Sequence, residues 1–276
     1  MQTIPFFKMS GSGNDFIIID NRNGIVPEEL LNEIIIKTCR RQLGIGADGL
    51  ILLENSDKAD FKWRFYNSDG SEADMCGNGA RCTARFALEN GIAKSPMTWE
   101  TLAGVISAEV NGAVAKVNMP QPQDLRFDYT LTLDGERLPI NSVNTGVPHA
   151  VLFSENIDNI EIVSLGRAIR YHHDYAPKGT NVNFAAKDGD NAIAVRTYER
   201  GVEDETLACG TGSIASALMA SHKFGMTSPV NVRTRGGEML NVYFTKDGDD
   251  DFKDIYLEGK VRIVYKGEFG SEAWEY

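Results

Sequence analysis

An α+β fold built twice is what this 276-residue chain predicts. Three observations carry the prediction. The sequence slid along itself by 133 positions keeps one register through six separated patches. Short β-rich segments outnumber helical ones. Each half also carries a cysteine followed by spaced glycines at the head of a small-residue stretch that reads as a helix.

The repeat is specific. SGND at 12–15 falls on TGVP at 145–148, GADG at 46–49 on GTNV at 179–182, and RFYN at 64–67 on TYER at 197–200. CGNG at 76–79 falls on CGTG at 209–212 and SPM at 95–97 on SPV at 228–230, with Thr101 on Thr234 and Gly104 on Gly237. Turn glycines alone do not hold one shift over that distance, so a duplicated domain is expected. Proline, charge and turn residues in MPQPQD and LDGERLP place a boundary near 120–140. The two expected halves are 1–125 and 126–276, with the C-terminal strands free to return to the first.

In chain order, FIIID at 16–20 is a short apolar strand, and PEELLNEIIIKTCRR at 27–41 is a helix with Pro27 in its first turn. KWRFYN and ISAEVNGAVAKVNM are β-rich. In the second half, AVLFS at 150–154 matches the first strand. DNIEIVSLGRAI at 158–169 is a helix whose Asp158 and Glu161 have capping-box spacing. AVRTYE, NVRTRG, MLNVYF and KVRIVY are strands, and LNVYFTKDGDDF and IYLEGKVRIVYK read as antiparallel strands joined by turns. Many strands around few helices mean α+β rather than a parallel α/β sheet.

Composition narrows the function. Twenty-eight basic against 39 acidic residues leave a net charge of −11, which excludes a general binder of nucleic acid or anionic membrane. One well-placed arginine still suffices for an anionic small molecule. Four cysteines do not make a disulfide scaffold. MQTIPFFKMSGSG lacks the basic and apolar regions of a secretory signal, and no apolar run approaches the roughly 18 residues of a membrane span. A cytoplasmic protein is expected.

Cys76 and Cys209 carry the candidate chemistry. At a helix start, free N–H groups and the helix dipole favour a thiolate, and the glycines let the backbone approach a carboxylate. Cys39 lies on an apolar helical stripe and reads as core. Cys82 points about 240° round the helix from Cys76 at 100° per residue, and no CxxC pair exists, so no metal site is expected. Two matched thiols, one from each copy and related by a pseudo-twofold, suit a carbon acid deprotonated on one face and reprotonated on the other. That inverts a stereocentre without a cofactor. PLP usually stabilises an amino-acid carbanion, but no lysine has a Schiff-base context. The burden then falls on helix-end donors and on exclusion of water.

FFKMSGSGNDFIIID, NSDGSEADMCGNGARC, GVPHAV, YERGVEDETLACGTG and GGEML resemble the diaminopimelate epimerase family, from residue 7 to about residue 265. The pairing of MCGNGARC with ACGTGS and the intervening YERG is specific; proline racemases share the two cysteines but not these surroundings. The resemblance implies two similar domains, each a mostly antiparallel strand barrel around a central helix, with the active site in the cleft between them. It implies PLP-independent conversion of L,L-diaminopimelate to the meso form on the route to lysine and peptidoglycan. Cys76 and Cys209 would be the acid/base pair, and the backbone at Gly77, Asn78, Gly210 and Thr211 would hold the reacting carboxylate and ammonium. Asn14, Asn67, Asn181 and Arg200 would read the distal centre, Glu199 would lie near an ammonium, and His149 would orient or polarise the cysteine region. Asn67 and Asp69 are also good turn residues in NSDGS, and Glu199 with Arg200 could form a solvated pair. His172, His173 and His222 read as surface or packing residues. The partner is a small amino-acid substrate, with no cofactor, nucleic acid or membrane; the resemblance leaves a homodimer open, since family members are often dimers, and no pattern in the sequence sets the oligomeric state.

Two positions depart from the commoner family pattern, which has glutamine at the slot of Gly49 and asparagine at that of Val147. These changes make an amino-acid racemase of broader specificity the nearest rival. A thiol–disulfide oxidoreductase using Cys76 and Cys209, and a non-catalytic amino-acid binding protein, are the rivals from other classes.

Overall fold

The computed structural model describes residues 3–248 and 251–276, which divide into two compact units: the chain up to Val117 with Gly259–Tyr276, and Asn118–Glu258. In the first unit, β1 (Ile4–Gly11) pairs antiparallel with β2 (Asn14–Asp20). Helix α1 (Leu31–Cys39) carries the chain over to β3 (Gly49–Glu54), parallel to β2. Antiparallel β4 (Phe61–Asn67) follows, then helix α2 (Gly77–Glu89) and β5 (Met97–Thr101), parallel to β4. Strands β6 (Gly104–Asn111) and β7 (Val114–Asn118) continue antiparallel. Both parallel joins cross over through a helix, as parallel pairing requires.

The second unit opens with a long hairpin, β8 (Gln123–Leu133) and β9 (Glu136–Asn144). From there it repeats the first unit's order. Strand β10 (Pro148–Phe153), helix α3 (Ile162–Arg170) and parallel β11 (Asn181–Lys187) come first. Antiparallel β12 (Ala192–Glu199) follows, with short β13 (Asp204–Thr206) beside it. Helix α4 (Gly210–Phe224) leads to β14 (Val230–Thr234), parallel to β12, then to antiparallel β15 (Met239–Asp247), and β16 (Asp251–Lys260) comes next. Strand β17 (Arg262–Phe269) returns to the first unit and pairs with β1. The fold is sheet-dominated α+β and duplicated, as the sequence predicts. The agreement reaches single bonds: Ser95 Oγ accepts from Val110 N at 2.8 Å, and Ser228 Oγ from Phe244 N at 3.0 Å.

The strands form because their apolar residues are covered. Ile17, Ile18 and Ile19 of β2 and Leu50, Ile51, Leu52 and Leu53 of β3 are all buried, as is the Phe61–Trp99 stack joining β4 to β5. Each unit encloses one helix that starts at a cysteine. Helix α4 is buried nearly all round, from Gly210 to Ser221, and can be because Ala, Ser and Gly let strands approach from every side. Helix α2 is buried likewise through Ala80, Cys82, Ala84 and Ala87.

Two local expectations change. The helix expected at 27–41 is Leu31–Cys39 behind one 3₁₀ turn, Glu28–Leu30, with Pro27 extended before it; Arg40 is extended and ends it. Helix α3 starts at Ile162 with Glu161 as N-cap and no side-chain cap bond, so the Asp158–Glu161 capping box does not form. Arg196 Nη1 donates to the carbonyls of Ile157, Asp158 and Ile160 and holds that segment as a turn. LDGERLP makes the β8–β9 turn. The turn expected in TKDGDDF falls partly on residues 249 and 250, outside the described residues. Among the described residues no helix is long and apolar enough to cross a membrane.

Candidate active site

In the first unit, the tight turn between β1 and β2 brings Asn14 against the start of α2. Cys76 is the N-cap of that helix, in extended backbone, and its Sγ accepts from Gly79 N at 3.4 Å. The sulfur therefore stands where the N–H groups of the first turn converge. Asn78, buried in the first turn, donates Nδ2 to Asn14 Oδ1 at 2.6 Å. Asn14 Nδ2 donates to Asp48 Oδ2 at 3.0 Å. Arg81, wholly buried, donates to Asn78 Oδ1, Ser12 Oγ and the Gly77 carbonyl. A one-way chain of donors runs from Arg81 through Asn78 and Asn14 to Asp48 and fixes how both amides point. Behind it, Asp48 and Asp15 share Arg41, and Asp15 pairs with buried Lys8 at 2.7 Å. Burial opposes the charge on Asp15, but hydrogen bonds from Arg41 and Lys8 outweigh it and hold the carboxyl below its usual range.

In the second unit, Cys209 is the N-cap of α4, 8% exposed. Its Sγ lies 3.4 Å from Thr211 Oγ1, which lies 2.9 Å from His149 Nε2. Thr145 Oγ1 donates to the Thr211 carbonyl and ties the β9–β10 turn to the same helix start. Burial, with the charge of Arg200 added, pushes His149 down to about 3, so it is neutral near pH 7. Asn181 bridges β10 and β12: Nδ2 donates to the Pro148 carbonyl and Oδ1 accepts from Arg200 N at 2.8 Å. Glu199 and Arg200 are half-buried at the end of β12, and Arg200 Nη1 reaches the Lys178 carbonyl at 3.3 Å.

Of the first unit's expected residues, the structure gathers Asn14, Cys76, Gly77 and Asn78; of the second's, it gathers His149, Cys209, Gly210 and Thr211, with Asn181 and Arg200 bonded to each other. Asn67 is exposed and donates to Ser71 Oγ in the NSDGS turn that Asp69 also closes. Gly49 has a local reason: a Cβ there would stand 2.5 Å from the Tyr66 carbonyl oxygen and 2.8 Å from Phe65, so the β3–β4 contact admits no side chain. Val147 sits half-buried in the β9–β10 turn, its carbonyl accepting from Thr145 N.

Cys39 is core, its thiol pushed up to about 12 by burial. His172 accepts from Asp174 N and donates toward the Thr132 carbonyl, and His222 stacks on Phe127. His172, His173 and Asp174 could be drawn together by a metal ion, but both His172 nitrogens are already engaged. The sequence reading missed Arg81, Asp48, Asn183 and Thr197. Only Asn183 left a signal, a polar residue inside the apolar run NVNFAA.

A sequence model of the diaminopimelate epimerase family matches residues 6–124 and 141–264. A diaminopimelate epimerase of Aquifex aeolicus is 48% identical over 286 residues, covering 99% of this chain and all of the relative. One of Archaeoglobus fulgidus is 45% identical, covering 96% of this chain and 95% of the relative. Among solved structures, a PhzF-family phenazine biosynthesis protein of Bacillus anthracis superposes with a TM-score of 0.75 at 20% identity, over 98% of this chain and all of that one. A probable proline racemase of Agrobacterium radiobacter gives 0.73 at 16%, over 99% and 94%. At such identities these two speak for the fold alone. The end-to-end matches at nearly half identity go further, and with a cysteine capping the central helix of each repeat the chain belongs to the diaminopimelate epimerase family.

Proposed function

We propose that this chain is an isomerase that interconverts L,L- and meso-2,6-diaminopimelate, a step toward lysine and peptidoglycan precursors. The observation that carries the reading is the pair of equivalent helices, each N-capped by a cysteine, in a chain of this family. One of Cys76 and Cys209, as thiolate, takes the α-proton, and the other, as thiol, returns a proton to the opposite face. The repeats of the two halves, 1–125 and 126–276, each supply one sulfur. Negative charge developing on the α-carboxylate is met by backbone N–H groups at Gly77 and Asn78 and at Gly210 and Thr211, fixed by the helices before the reaction starts. Arg200 forks onto the distal carboxylate, with Asn14, Asn67, Asn181 and Glu199 around that amino-acid centre. The residues named suffice for the proton transfers, so no cofactor is invoked. Four cysteines present as free thiols suit a reducing, cytoplasmic setting, and a homodimer is the assembly to test by sedimentation.

The test is incubation with L,L-diaminopimelate in D2O without added PLP, following α-deuterium uptake and the L,L to meso ratio. Cys76→Ser and Cys209→Ser should each lose epimerisation, and Arg200→Ala should lower kcat/KM by two orders of magnitude or more. Full epimerisation by the double serine variant would overturn the reading. Val147, where the commoner pattern has asparagine, favours one alternative: a racemase that accepts amino acids lacking the second carboxylate. Comparable kcat/KM on such substrates would establish it.

A further inference from the structure

Asn183 and Thr197, buried on adjacent strands β11 and β12, form the far end of the hydrogen-bonded chain that reaches Cys209. We propose that these two are positioning residues: they hold His149 in one tautomer, so that the Thr211 hydroxyl donates to the Cys209 sulfur and favours its thiolate. The proposal rests on the reading of Cys209 as one of the two acid/base groups.

The argument starts from a group with no choice. The Ala150 carbonyl can only accept, and Asn183 Nδ2 lies 3.0 Å from it, so the amide nitrogen of Asn183 is on that side. Its oxygen then accepts from Thr197 Oγ1 at 2.9 Å. The second Nδ2 hydrogen points at His149 Nδ1, 3.1 Å away, and that ring nitrogen must be the acceptor. A neutral imidazole carries one proton, so it is on Nε2. Nε2–H donates to Thr211 Oγ1 at 2.9 Å. The hydroxyl, already accepting there, turns its own proton to Sγ of Cys209 at 3.4 Å. Every link donates in the same direction, and a chain of that polarity favours the sulfur as an anion. Neutrality of His149 is what the tautomer argument needs; burial provides it, and Arg200 is the charged neighbour that adds to it. The α2 counterpart of Thr211 is Asn78, whose amide is bound to Asn14 and Arg81 instead.

Two measurements test this without substrate, so their failure is distinct from failure of the epimerase reading. Imidazole 15N shifts, with His149 assigned by comparison with His149→Gln, should show the Nε2–H tautomer. The pH profile of Cys209 alkylation, followed by peptide mass spectrometry, should move up by about one unit in Asn183→Ala and in Thr197→Val. The Cys76 profile in the same samples should stay in place, and Thr197→Ser should restore that of Cys209. If Asn183→Ala does not fold, the nearly isosteric Thr197→Val decides alone. An Nδ1–H tautomer or an imidazolium in the unsubstituted protein overturns the proposal. So does a Cys209 profile that stays put, or one that moves together with that of Cys76.

Discussion

Gly212 leaves space for Asn183: a Cβ on residue 212 would stand 2.3 Å from Asn183 Oδ1. In the first repeat, Gly79 has the same position in its helix, and there a Cβ would meet Ile51 Cδ1 at 3.3 Å and Phe16 at 3.5 Å. One motif glycine thus makes way for a fixed amide, and the other for a flexible methyl end.

The two glycines should respond differently to alanine. Asn183 is held by bonds to Ala150, His149 and Thr197 and cannot retreat, so Gly212→Ala should cost about 1–3 kcal/mol, as overpacking does. It should also slow turnover at least tenfold. In Gly79→Ala, the gain of up to about 1 kcal/mol from helix propensity offsets a mild contact. Urea unfolding of the pair, with kcat alongside, checks this; equal losses at the two sites would refute it.

Acidification should expose the cost of burying His149. Its folded value, about 3, lies below the ordinary 6.5, so the unfolded chain takes up the proton first. Stability from this residue is whole above about pH 6.5 and is lost as pH falls toward 3, at roughly 1.4 kcal/mol per pH unit. Between pH 7 and pH 5 the protein should lose about 2 kcal/mol more than His149→Gln does. Parallel urea-derived stabilities for the two proteins across that range would contradict this.

Native alkylation should sort the four thiols. Cys39 and Cys82 are buried, and burial holds the Cys39 thiol near 12. At pH 8 both should stay unmodified while Cys76, the half-exposed cysteine, reacts first. Peptide mapping after brief iodoacetamide treatment reads the order; early labelling of Cys39 would count against the packing around α1.

Lys8→Met should destabilise the first unit by roughly 2–4 kcal/mol, because it leaves Asp15 short of one cation while Arg41 still holds it. Asp15 titrates below its usual range in the folded chain, so its contribution is present above pH 3.8 and lost as pH falls through the folded value. Without Lys8 the folded value rises toward 3.8, so that loss should be smaller and end at higher pH. Asp48 and Asn14 share the network, so KM should rise as well. Urea midpoints at pH 7 and pH 3 with steady-state kinetics at pH 7 decide; a change below about 0.5 kcal/mol at pH 7 would show the pair to be surface-like.

What was legible in the sequence is what depends on residue type at fixed spacing. A cysteine capping a helix that begins with spaced glycines must show both, so Cys76 and Cys209 stood out, and the constant shift of 133 exposed the duplicated fold. Asn183 was not legible as a partner of His149, because 34 positions separate them and only the parallel β10–β11 pairing brings them together. Arg81 has no spacing that marks it for burial, yet lies wholly buried on Asn78. The failed capping box on α3 had the right residues, but Asn156 Oδ1 accepts from Asp158 N, the donor that Glu161 would have met, while Arg196 holds carbonyls of the same segment.

The pairing of β17 with β1 has a consequence for biosynthesis. Ribosomes deliver chains from the N-terminus, and a leading domain ordinarily folds first. Here the leading unit needs Gly259–Tyr276 to be complete, so the inserted segment Asn118–Glu258 emerges in full before its predecessor can close. Until β17 has been made, β1 lacks one of its two partners, and that bare edge is where a nascent polypeptide of this kind is most open to chaperones or to mispairing.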